Sequence, residues 1–184
     1  MPTSTTRAAG AALLAALALS VSACGNSGGS GTSSTDKTAA KNISASIMKS
    51  QNGSTSQFLT LKKKDADCIG KGLVEKVGTD DLKKYGVLDK NLKPSKKGIS
   101  DVKMSPADAK STTGVLFGCA DVEKMMQSAI NKSGQIPKTM QSCVNKALSE
   151  DHLRPMLTQL FHGRTDAAQK ALTGPMTKCA TSGG

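Results

Sequence analysis

Residues 68–73 read CIGKGL and residues 143–148 read CVNKAL. Both fit the pattern C-[IV]-x-K-[GA]-L, and both sit in helical periodicity. Around the first, Ala66, Ile69, Leu73 and Val77 fall at i, i+3, i+7 and i+11, one apolar stripe on an α-helix. Around the second, Met140, Cys143, Val144, Ala147 and Leu148 fall at i, i+3, i+4, i+7 and i+8. Each copy precedes an acidic helix start (Asp80-Asp81-Leu82, Asp151-His152-Leu153), a glycine stop (Gly86, Gly163) and a further cysteine (Cys119, Cys179). The spacing predicts an all-α fold, a small helical bundle of two degenerate three-helix units over residues 60–130 and 137–180. Chance agreement among helical segments built from the same few residues is the competing reading.

Working outward, Ile43, Ile47 and Met48 suggest a short helix ending before Asn52-Gly53. Gly78 is placed to end the helix of the first copy and Thr79 to cap the next, with Leu82 and Tyr85 facing inward. Residues 89–104 carry Pro, Gly and five Lys and read as an exposed connection. Asp89 and Asn91 open like a calcium loop, but Lys93, Pro94 and Ser100 occupy positions that need oxygen ligands, Gly and Glu, so calcium is rejected. Ser105-Pro106 is a helix start. A helix from near Cys119 should bury Val122, Met125, Met126, Ala129 and Ile130 and stop at Gly134, and Ile136-Pro137 opens the next. Leu153, Met156, Leu157, Leu160 and Phe161 follow, with Pro155 requiring a nearby helix start or a bend. Thr165-Asp166 caps a last helix, which Gly174-Pro175 is expected to kink or break, and the Thr-Ser-Gly-Gly end is expected to be disordered.

The amino-terminal end carries Arg7 and then an Ala/Leu/Val run, Ala8 to Val21, of 14 residues. That is short of the roughly 20 needed to span a bilayer as a helix, and fits a cleaved secretory signal. Val21-Ser22-Ala23-Cys24 resembles the lipobox of bacterial lipoproteins. The resemblance implies cleavage before Cys24, a signal peptide over 1–23, and a lipid on the Cys24 thiol that holds the chain on the extracytoplasmic face of a cell membrane. Residues 24–41, rich in Gly, Ser and Thr, read as a flexible tether, leaving a basic helical domain over 42–182. Over residues 64–180 the Cys, Leu and Gly spacing also resembles small secreted lipoproteins of actinobacteria, a likeness that implies no activity.

With Cys24 assigned to lipid, four of the five cysteines remain: Cys68, Cys119, Cys143 and Cys179. An even number outside the cytoplasm suggests two disulfides, and four cysteines allow three connectivities. The repeat favours Cys68–Cys119 and Cys143–Cys179. Zinc is the competing use, since His152 and His162 lie between Cys143 and Cys179, but no CxxC or HxxxH pair supplies ligands. No metal and no cofactor is expected.

Composition bounds the function. Aromatic residues make up 2% of the chain and Trp is absent, so the core must come from aliphatic residues and Met. The 25 Lys and Arg against 14 Asp and Glu give a net charge of +11, which points to anionic partners: lipid headgroups, wall polymers or an acidic protein. Nucleic acid is excluded by export and by the lack of aromatic residues to stack bases. Lys62, Lys63, Lys64, Lys83, Lys84, Lys96 and Lys97 mark the most basic region, either a solvated surface or an anionic docking face. Met125, Met126, Met140, Met156 and Met176 read as core, or as a groove for a lipid or small molecule. Asp80-Asp81 and Glu150-Asp151 could be acid/base pairs, though their place at helix starts suits capping and dipole interaction better. There is no GxSxG elbow, and the two histidines suit helix ends. The expectation is a membrane-anchored, non-enzymatic cell-envelope interaction module, with a lipid or small-molecule carrier as the alternative.

Overall fold

The structure is a computed structural model that describes residues 33–53, 61–95, 101–134 and 136–182. The expected signal peptide, Cys24, the first part of the tether, Lys96, Lys97 and the terminal Gly183-Gly184 lie outside the described residues. Among the described residues there are eight helices and no strand: α1 (Ser34–Gly53), α2 (Lys63–Lys76), α3 (Thr79–Lys84), α4 (Pro106–Cys119), α5 (Val122–Lys132), α6 (Lys138–Ala147), α7 (Glu150–Phe161) and α8 (Thr165–Ser182). The all-α expectation holds.

Local chemistry sets the boundaries. The Ser105 hydroxyl accepts the Asp108 N–H at 3.1 Å with Pro106 in the first turn of α4, and Asp121 accepts the Lys124 N–H at 3.0 Å to start α5. Gly78, Gly86, Gly134 and Gly163 all have positive φ, so the chain turns at each without the Cβ penalty of that region.

Several expectations need correcting. The tether ends earlier than residue 41, because Ser33 and Asp36 form a reciprocal capping box that starts α1 at Ser34. The Asp36 N–H donates to Ser33 Oγ at 3.1 Å and the Ser33 N–H to Asp36 Oδ2 at 3.2 Å. Ala39, inside the expected tether, is fully buried. Thr79 is the first residue of α3 rather than its cap; Gly78 holds the cap position, and the Thr79 hydroxyl donates to Asp36 Oδ1 at 2.6 Å. The connection over 89–104 is not simply exposed. Asp89 gathers the Asn91 and Lys93 N–H groups into a turn, and Val102 and Met104 are core residues. Gly174-Pro175 does not break α8, and Thr181 and Ser182 belong to that helix. Leu172, Met176 and Cys179 all pack into one core cluster, which outweighs the hydrogen bond that Pro175 cannot donate.

Both disulfides join the pairs that the repeat favours, Cys68–Cys119 and Cys143–Cys179, each with Cα atoms 5.5 Å apart. Cys68 and Cys143 occupy the same place, the sixth residue, in α2 and α6. The third position of the echoed hexapeptide faces the preceding helix in both halves. A Cβ on Gly70 would lie 2.4 Å from the Ala40 carbonyl oxygen of α1, whereas Asn145 accepts Gln127 Nε2 at its carbonyl, 3.0 Å, and Asn131 Nδ2 at its side chain, 3.3 Å, both from α5. Through Met126 and Ile130, α5 packs with the second half rather than closing the first. The packing within the halves differs. α2 lies between α1 and α4, while α8 lies between α6 and α7.

Three core clusters follow. One holds Ile43, Ile69, Leu73, Leu82 and Leu88, and a second holds Val144, Leu148, Leu153 and Cys179. The third, Val102, Met104, Ala109 and Phe161, joins α4 to α7 across the middle of the chain.

Candidate interaction surfaces

The five described lysines of the expected basic face do not form one patch. α1 and α2 run antiparallel: Gln51 near the end of α1 accepts the Leu61 N–H at 2.5 Å, and Asp36 at its start receives Thr79 just beyond α2. Lys62, Lys63 and Lys64 therefore stand at one end of α2 and Lys83 and Lys84 at the other. The 14-residue length of α2 corresponds to about 20 Å at the rise of an α-helix, and separates the two groups accordingly.

Much of that charge is already matched. Lys63 Nζ lies 2.6 Å from Asp67 Oδ2, Lys83 3.1 Å from Asp80 and Lys84 3.9 Å from Asp81, each within its own helix. Lys62 and Lys64 have no ion pair among the described residues. Exposed pairs of this kind contribute roughly 0–1 kcal/mol to stability, yet they cancel the local field that would attract an anionic partner.

Lys62 and Lys64 line an open groove of about 510 Å³ beside the Cys68–Cys119 disulfide. Its walls bring the first turns of α2, α5 and α7 together through Asp65, Asp121, Glu123 and Glu150, with Phe117 and Gly118 from α4. The carboxylates are engaged at helix starts: Asp65 accepts the Lys62 N–H at 3.2 Å, Asp121 the Lys124 N–H, and Glu123 the Glu150 N–H at 2.8 Å. Glu150 also pairs with Arg154, whose guanidinium lies 4.5 Å from the Phe117 ring centroid. Asp65, Asp121 and Glu123 are thereby occupied with capping, while Glu150, in the first turn of α7 where capping or dipole interaction is expected, is held by Arg154. Asp80 and Asp81 are likewise in the first turn of α3, each paired to a lysine three residues on.

The two histidines have local partners. His152 Nδ1 lies 3.0 Å from the Ser149 hydroxyl at the start of α7. His162 Nδ1 lies 2.8 Å from the Met104 carbonyl. A carbonyl can only accept, so that ring nitrogen carries the proton and donates, tying the segment before α4 to the end of α7. Of the methionines singled out above, Met126, Met140, Met156 and Met176 pack against the second core cluster.

Two carboxylates are held below the usual carboxylate range. Asp36 is lowered first by the Thr79 hydroxyl and then by Ser33, and Asp67 first by the Lys63 ammonium and then by the Ser44 hydroxyl, which donates at 2.5 Å. Both bind α1 to the α2–α3 segment. Among the described residues no group of His, Cys, Asp and Glu is arranged to hold a metal ion, and no helix is long and apolar enough to cross a membrane. Two disulfides are the mark of an oxidising, extracytoplasmic location. Compared with known proteins, the chain matches no family model, no curated protein and no solved structure.

Proposed function

We propose that the protein is a lipoprotein anchored through Cys24 on the extracytoplasmic face of a cell membrane, where its basic helical domain serves as a non-enzymatic interaction module of the cell envelope. The observation that carries the reading is the cysteine accounting. The two disulfides engage Cys68, Cys119, Cys143 and Cys179, and the remaining cysteine of the five is Cys24, directly after an apolar run in the sequence Val21-Ser22-Ala23-Cys24. An odd cysteine beside an export signal has a use as a lipid attachment point, and two acyl chains at about 0.8 kcal/mol per buried methylene hold a protein on a bilayer stably. From Gly25 to Ser33 the chain spans at most about 30 Å, so the anchor keeps the start of α1 within that distance of the headgroups.

A non-enzymatic role is supported by what the polar side chains already do. Asp65, Asp121 and Glu123 of the groove cap helices, Glu150 pairs with Arg154, and His162 donates to a backbone carbonyl. The test is the intact mass and fractionation of protein recovered from its own cells. The expected result is a chain beginning at Cys24, heavier by a diacylglyceryl group, in the membrane fraction, with Cys24→Ser released to the soluble fraction. An unmodified chain that is soluble with Cys24 intact would overturn the reading.

A further inference from the structure

From Lys124 to Ser149 the chain contains four lysines and no Asp or Glu, and this stretch is the α5–α6 hairpin. The lysines are not scattered around the helices. On α5 the exposed side chains are Lys124, Ser128 and Lys132, at i, i+4 and i+8, and on α6 they are Lys138, Thr139, Ser142 and Lys146. The apolar residues Met126, Ile130, Met140 and Val144 turn the other way, into the second core cluster. Glu123, the nearest acid before the stretch, is drawn inward by the Glu150 N–H and by Gln127 Nε2 at 3.0 Å. None of the four lysines has an ion pair among the described residues, in contrast to Lys63, Lys83 and Lys84.

We infer that this α5–α6 face, and not the lysines of α2 and α3, is the surface that docks on an anionic lipid bilayer. The inference rests on the anchored reading above for its choice of a bilayer: the covalent anchor keeps a phosphate-rich surface within reach of the domain. Charge complementarity supplies the rest. Four unpaired ammonium groups interspersed with small hydroxyls present donors and positive charge, and no side chain on that face repels a phosphate or demands a pocket. The attraction of each lysine near an anionic membrane falls off within a Debye length, so only charges on the apposed face contribute.

The experiment uses the full chain with Cys24→Ser, which carries no lipid, and measures co-sedimentation with vesicles of phosphatidylglycerol in phosphatidylcholine. Two matched variants each remove four charges: Lys124→Gln/Lys132→Gln/Lys138→Gln/Lys146→Gln, and Lys62→Gln/Lys64→Gln/Lys83→Gln/Lys84→Gln. All eight positions are solvent-facing or partly so, and equal thermal midpoints verify that both variants remain folded. The first should weaken binding by about 100- to 1,000-fold and the second by less than about 3-fold. Equal losses from the two variants would mean that diffuse net charge is responsible and would overturn the assignment. So would failure of the parent chain to bind these vesicles, or binding to soluble poly(glycerol phosphate) alone, which would make a wall polymer the partner. Because Cys24→Ser lacks the lipid, none of these outcomes bears on the anchor itself, which the mass and fractionation measurement tests separately.

Discussion

Replacing Cys143 and Cys179 together by alanine removes a covalent link across 36 residues, and replacing Cys68 and Cys119 removes one across 51. If disulfides stabilise by restricting the unfolded chain, the two losses come to about 4 kcal/mol each, with the longer loop ahead by only about 0.3 kcal/mol. The folded structure reverses that order. Cys179 is 2% exposed within the second core cluster and Cys143 packs against that cluster, while Cys68 is exposed and Cys119 half-buried. Losing the sulfur of Cys179 leaves a void in the core that adds about 1 kcal/mol, comparable to deleting one buried methylene. Urea unfolding of the non-reduced variants should therefore rank Cys143→Ala/Cys179→Ala as the less stable by roughly 0.5–1 kcal/mol. Both should unfold with a steeper denaturant dependence than the parent, because the uncrosslinked chain exposes more surface. A larger loss at Cys68/Cys119, or a loss under about 1 kcal/mol at either pair, would refute the reasoning.

Three further outcomes follow from the packing. Gly70→Ala should destabilise by about 2 kcal/mol despite alanine's helix propensity, because the new methyl would meet the Ala40 carbonyl at 2.4 Å and force α1 off α2; thermal unfolding measures it, and a stabilised protein would contradict the contact. Asp36 and Asp67 have lowered folded-state pKa values, so their contribution is present above the ordinary unfolded carboxylate pKa of about 4 and is lost as pH falls through the folded values. Stability measured against pH should fall less steeply on the acid side in Asp36→Asn/Asp67→Asn than in the parent, and an identical slope would show that neither carboxylate is held as described. His162→Ala should cost about 1–2 kcal/mol by leaving the Met104 carbonyl unpaired, measurable by urea unfolding; a neutral result would mean that the carbonyl has another donor.

The helices were legible because each carries its own local chemistry. The Ala66–Val77 stripe, the Ser105-Pro106 start and the glycine stops act through neighbours within one or two turns, and such rules operate before tertiary contacts form. Of the three possible connectivities, the echoed hexapeptide favoured the two cysteine pairs that form, because each copy is followed by one further cysteine. The early start of α1 was also written in the chain, as the capping box Ser33 to Asp36, but a Gly- and Ser-rich composition concealed it.

Other features depended on what lay opposite. Pro175 breaks a helix by local rules and does not here, because Leu172, Met176 and Cys179 hold both sides of it in one core cluster. Lys83 and Lys62 are neighbours in composition but lie at opposite ends of α2, since charge along a sequence carries no information about the direction in which a helix takes it. The α5–α6 lysines escaped notice for the converse reason. Their density is lower than that of residues 60–110, and what distinguishes them is that all four lack an ion pair among the described residues in a stretch without Asp or Glu, whereas the unpaired Lys62 and Lys64 line a groove with four carboxylates. The sequence by itself determined the helices and favoured the cysteine pairs that form, both through local or covalent rules. Only the tertiary structure decided which charges remain unmatched and which face presents them, because electrostatic pairing is a property of distances in space.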